Sequence, residues 1–70
     1  MSEKQLTEPT TLTKKGMETR LKLLNAAEKV FGKKGYYETS VVNITQEAGV
    51  GQGTFYNYFQ TKKDIYEALI

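Results

Sequence analysis

Between Gln52 and Tyr58 the chain sets five side chains with hydrogen-bonding groups on short or rigid stems: Gln52, Thr54, Tyr56, Asn57 and Tyr58. Carboxamides both donate and accept, so Gln52 and Asn57 can make two-point hydrogen bonds to a planar partner that offers a donor beside an acceptor. Tyr56 and Tyr58 add rings with hydroxyls, and Thr54 a methyl beside a hydroxyl. This is chemistry for recognition. The groups that catalysis would need are absent, since the sequence contains no histidine and no cysteine. The usual general base, the commonest metal ligand and any thiolate nucleophile are therefore lost together. The eight carboxylates are scattered with nothing beside them to activate one. No glycine-rich phosphate loop follows a strand, and no metal-ligand spacing occurs. We expect no catalytic residue, no metal, no cofactor and no enzymatic activity.

Short helices must position those side chains. From about Met17 to Lys34 the apolar residues Leu23, Leu24, Ala27, Val30 and Phe31 fall within one arc at helical period, with Lys22, Asn25, Lys29 and Lys33 opposite. Gly35 supplies a left-handed stop, and Lys33 and Lys34 suit the negative end of the helix dipole. Tyr36 and Tyr37 carry the chain back, one packed inside and one at the edge. Thr39-Ser40 then caps a short helix from about Val41 to Ala48, with Ser40 placed to accept from the Asn43 amide. Val41, Ile44 and Ala48 share its inner face, and Val42 and Gln46 point away. Gly49-Val50-Gly51 separates it from a run of Gln52 to about Phe59, in which Phe55 and Phe59 face inward. Thr61-Lys62-Lys63-Asp64 has the form of a capping box with aspartate in place of glutamate. It opens a helix with Ile65, Ala68 and Leu69. Phe31, Phe55 and Phe59 are the aromatic core candidates.

Seventy residues suffice for one small domain with a modest core. Residues 1–15 are polar, hold the only proline, Pro9, and are expected to form a flexible tail, with order beginning near Gly16. Residues 16–70 form the domain. The net charge of +2 is unevenly spread: residues 14–35 carry seven cations against Glu18 and Glu28, while residues 36–70 sum to −2. A polyanion partner would favour that basic segment, and a solvated lysine-rich helix face would look the same. No apolar stretch is long enough to cross a bilayer, and the first residues do not form a signal peptide. No membrane partner is expected, and the location expected is the cytoplasm.

Two short helices joined by a glycine-containing turn, behind a longer supporting helix, form a helix-turn-helix. The expected fold is all-α: a three-helix homeodomain-like bundle with the start of a fourth helix. Its second motif helix must enter a major groove, which explains an outer face that is polar but uncharged. Asn and Gln pair with an adenine edge, and rings or methyl groups meet a thymine methyl. A helix N-terminus beside a phosphate adds free backbone amides.

The run Phe31-Gly32-Lys33-Lys34-Gly35-Tyr36, then Thr39-Ser40-Val41, Ile44, Ala48-Gly49-Val50-Gly51-Gln52-Gly53-Thr54-Phe55-Tyr56-Asn57-Tyr58-Phe59 and Lys62 resembles the N-terminal domain of the TetR/AcrR family of transcriptional regulators. The resemblance covers about residues 18 to 70. Each motif alone is weak, and together they are highly specific. It implies a sequence-specific repressor that binds a palindromic operator in double-stranded DNA as a homodimer. A small-molecule effector, bound in a larger C-terminal domain absent from these residues, would release it. Position by position, Thr54, Tyr58 and Lys62 resemble phosphate contacts; Gln52, Tyr56 and Asn57 resemble groove readers. Gly53 would let the backbone approach DNA. Ser40 and Val42, at the start of the first motif helix, complete the DNA-binding set, with a thymine methyl as the partner of Val42. Three positions depart from the family pattern. Thr45 stands where alanine is usual, Gly51 where a capping serine is usual, and Gln52 where lysine is common. The last two imply a weaker cap and one cation fewer.

Other readings stand beside these. Tyr56 and Tyr58 at helical spacing also suit packing, Gln52 and Asn57 suit a polar surface, and Lys62 and Lys63 suit solvated positions in a first turn. Lys14-Lys15 could reach a minor groove from a flexible arm, or simply belong to a disordered tail. The whole unit could instead be a protein-interaction module that buries its aromatics in a partner. Salt dependence separates that from DNA binding. The last helix has no C-cap signal, which leads us to expect a piece of a longer protein rather than a small stand-alone regulator.

Overall fold

The computed structural model describes residues 14–70. Residues 1–13, most of the expected tail, lie outside the described residues. Among the described residues four helices follow one another: α1 Lys14–Lys34, α2 Val41–Ala48, α3 Gln52–Tyr56 and α4 Lys62–Leu69. Among the described residues there is no strand, so the all-α expectation holds.

Helix α1 begins three positions before the expected Met17. Lys14 and Lys15 are good helix formers and make its first turn, where the Thr19 hydroxyl donates to the Lys15 carbonyl at 3.0 Å. They are therefore helical rather than part of an arm, and Gly16 is buried within that turn. The buried stripe is Leu23, Ala26, Ala27 and Val30, the i, i+3, i+4, i+7 pattern of one helix face. Leu24 and Phe31, placed by periodicity in the same arc, lie at its edge and are only partly buried. Phe31 is thus half-buried at the rim of the expected core: it packs against the core cluster, and its ring also meets Tyr36 and Tyr66, at 5.6 and 5.4 Å between centroids.

The bundle closes around one large, fully buried side chain from each helix: Leu23, Ile44, Phe55 and Ile65. Each contributes about 1.5–3 kcal/mol relative to an exposed position. Phe59, just beyond α3, joins them, and the Arg20 guanidinium covers its ring at 5.2 Å. Helix α1 packs most extensively on α2 and also on α4, while α3 rests on α2. The recognition-motif pair α2–α3 is thereby braced from behind by the long helix.

Local signals set the boundaries. Gly35 leaves α1 at φ 87°, and the Thr39 hydroxyl donates to its carbonyl at 2.7 Å. Ser40 caps α2 reciprocally. Its hydroxyl accepts from the Asn43 amide at 3.1 Å, and the Asn43 carboxamide oxygen accepts from the Ser40 N–H at 3.0 Å. Gly49 ends α2 in the left-handed region at φ 75°, where other residues carry a steric penalty. At Thr61 the expected box forms only by half: its hydroxyl accepts from the Asp64 amide at 3.1 Å. The Asp64 carboxylate reaches one residue further back, to the Gln60 N–H at 3.0 Å.

Candidate nucleic-acid interface

Helix α3 is short because its end tightens. The Asn57 and Tyr58 amides donate to carbonyls three residues back, Thr54 and Phe55, at 3.1 and 3.0 Å. This over-wound turn redirects the chain before the expected end at Phe59, so that Phe59 can drop into the core and Thr61 can start α4 in extended geometry. Within α3 itself only Phe55 is buried.

The consequence is a protruding element with most of its side chains outward. Gln52, Gly53 and Asn57 are exposed and Thr54 is half-buried. Tyr56 is 53% exposed, and its ring stands edge-on to Phe55 at 5.2 Å, so it is both held and available. Tyr58 packs partly against the core, which gives it a structural role whatever its hydroxyl does. Gly51 caps α3 without a side-chain hydrogen bond, so the first amides of α3 have no cap of that kind.

Helix α2 contributes its outer face. Val42 is exposed, as is Gln46 one turn on. Thr45 is buried and points the other way. Its hydroxyl donates to the Val42 carbonyl at 3.1 Å, which is how the fold accommodates a polar side chain at this position. Ser40, exposed at the start of α2, spends its acceptor on the cap and keeps its own O–H.

Lys62 stands where the sequence placed it, but its contacts were not foreshadowed. It is the first residue of α4, but it is not a solvated lysine. Its ammonium donates to the Tyr36 carbonyl at 2.9 Å and lies 4.3 Å from the centroid of the Tyr36 ring. Among the described residues two ion pairs lie at the surface: Lys29–Glu47 at 3.3 Å ties α1 to α2, and Lys63–Glu67 at 3.9 Å lies along α4. Both are solvent-exposed and contribute little to stability. The Lys62–Tyr36 and Arg20–Phe59 contacts were missed in the sequence, because each joins residues on separate elements. Among the described residues no cluster of acidic side chains could hold a metal, and no helix is long and apolar enough to cross a membrane.

A long helix braced across two short ones, the second protruding with a polar outer face, defines a helix-turn-helix head of the transcription-regulator class. Residues 23–69 match the family model of bacterial regulatory proteins, tetR family, and the chain belongs to that family. It is similar to the uncharacterized HTH-type transcriptional regulator YdgC of Bacillus subtilis (strain 168), with 43% identity over 56 residues, 80% of this chain and 29% of that protein. It is also 38% identical over 53 residues to the HTH-type transcriptional regulator TtgR of Pseudomonas putida, covering 76% of this chain and 25% of the relative. The fatty acid metabolism regulator protein of Bacillus subtilis (strain 168) is 39% identical over 49 residues, 70% of this chain and 25% of its own length. The chain thus spans only a quarter to three tenths of these relatives. No solved structure matches.

Proposed function

We propose that this chain is the head of a cytoplasmic repressor that binds a palindromic operator as a dimer by inserting α3 into the major groove. Dimerisation and a releasing small-molecule effector belong, in this reading, to chain outside these residues. The observation that carries it is the burial pattern of α3 and its C-cap: Phe55 alone is buried and Thr54 half-buried, while Gln52, Gly53, Tyr56 and Asn57 are exposed. A helix kept for stability alone would present more than one apolar residue to its support.

Gln52, Tyr56 and Asn57 read base edges, the carboxamides at adenine and the ring at a thymine methyl. Val42 offers a second apolar contact to a thymine methyl. Thr54, Tyr58, Ser40 and Lys62 hold phosphates and fix the register, and Gly53 admits the backbone close to DNA. The protein acts by occupying its site, without catalysis.

Selection from a randomised duplex library tests sequence specificity. The wild-type chain should enrich a short half-site, and Asn57→Ala should relax the preference at one position, by a factor corresponding to about 1–3 kcal/mol. Recovery of unenriched sequence by the wild type would contradict base reading by α3.

A further inference from the structure

Lys62 and Tyr36 stand on different elements, one at the start of α4 and one in the turn between α1 and α2. Tyr36 offers the Lys62 ammonium two anchors at once, a carbonyl oxygen at 2.9 Å and a ring face with its centroid at 4.3 Å. The same carbonyl accepts the Thr39 N–H at 3.2 Å. The ring is itself fixed, with centroids of Phe31, Tyr37 and Tyr66 at 5.6, 5.2 and 4.9 Å. Thr39 is buried and bonded to the Gly35 carbonyl. The backbone that holds the ammonium therefore belongs to the rigid turn that leads directly into Ser40, the cap of α2.

A long lysine side chain has much rotamer freedom, and freezing it on a ligand weakens affinity by about three- to tenfold. A lysine that is already frozen in the free protein avoids that loss. We propose that Tyr36 is a positioning residue for DNA binding: its carbonyl and ring hold the Lys62 ammonium pre-ordered, so that the amine meets a phosphate without a further loss of freedom. This rests on the DNA-binding reading above. An ammonium has three N–H donors; the Tyr36 carbonyl takes one and two remain for phosphate oxygens. The ring face and the main-chain carbonyl hold the amine, and the phenol hydroxyl takes no part. Tyr36→Phe therefore preserves the device, while Tyr36→Leu keeps the carbonyl and removes the ring.

The test is a two-by-two set read by fluorescence anisotropy on a random-sequence duplex of about 20 base pairs at one low salt concentration. Tyr36→Leu should weaken binding about three- to tenfold when Lys62 is present and less than about twofold in a Lys62→Met background. Tyr36→Phe should bind like wild type. Equal losses in both backgrounds would make Tyr36 a packing residue only and overturn the proposal, as would no loss in either. A second measurement needs no variant, so it stands even if Tyr36→Leu does not fold. The Lys62 ε-methylene protons, whose carbon is bonded to an ammonium 4.3 Å from the Tyr36 ring centroid, should resonate upfield of ordinary lysine in the free protein and stay there when duplex is added. A return to the ordinary position on binding would show the ammonium leaving Tyr36, against the proposal. If the wild-type chain binds no duplex at all, the DNA-binding reading and this proposal fall together; binding without coupling removes the proposal alone.

Discussion

Gly53 is explained by what it lacks. Its backbone is not left-handed, and a Cβ built there would meet nothing within 4 Å. The free fold therefore does not require glycine, although glycine in a helix is less stable than alanine by roughly 0.5–1 kcal/mol. The close approach of DNA to the backbone proposed above would supply a reason for glycine that the free fold does not. Gly53→Ala should raise the unfolding free energy by about 0.5–1 kcal/mol in urea titration. It should also weaken duplex binding by roughly tenfold, about 1.4 kcal/mol. Greater stability with unchanged DNA affinity would remove Gly53 from the interface. Ser40 is less separable, since its hydroxyl is already the acceptor that caps α2. Its loss would lower stability by about 1 kcal/mol whatever it contributes to a phosphate.

At the scale of elements, α2 was the most legible. Its two ends are set by neighbours in sequence, Ser40 with Asn43 at one and Gly49 at the other, so both bounds could be read locally. Gly49→Ala tests that account. A Cβ would again meet nothing within 4 Å, so the cost is that of the left-handed backbone, about 1–2 kcal/mol, measurable as a lower urea midpoint with unchanged slope. The end of α3 was not legible. Periodicity carries a helix to Phe59, but the chain must turn to bury that ring and to start α4, and it tightens at Asn57 and Tyr58 instead. The box at Thr61 forms only by half, since the Asp64 carboxylate accepts from the Gln60 amide rather than that of Thr61. The candidate readers Gln52, Tyr56 and Asn57 were named through the family resemblance; helical spacing alone relates only Gln52 and Tyr56, four apart on α3, while Asn57 is its C-cap. The clasp between Lys62 and Tyr36 was not, because it depends on how α4 crosses a turn 26 positions earlier.

For the whole molecule the governing fact is economy of support. Each helix gives one large, fully buried side chain, and α3 has almost nothing else to hold it in place besides the tightened turn into Phe59. The core supports the outer face of α3 from behind, and the polar side chains Gln52, Tyr56 and Asn57 are exposed there. The most direct test of this account is a salt titration of the wild-type chain on random-sequence duplex DNA, alongside Lys62→Met. Phosphate neutralisation predicts that affinity falls roughly tenfold between about 50 and about 200 mM salt, as displacing about two counterions requires, and that Lys62→Met reduces the log–log slope by about 0.9. Affinity that is independent of salt, or a slope that Lys62→Met leaves intact, would contradict the account.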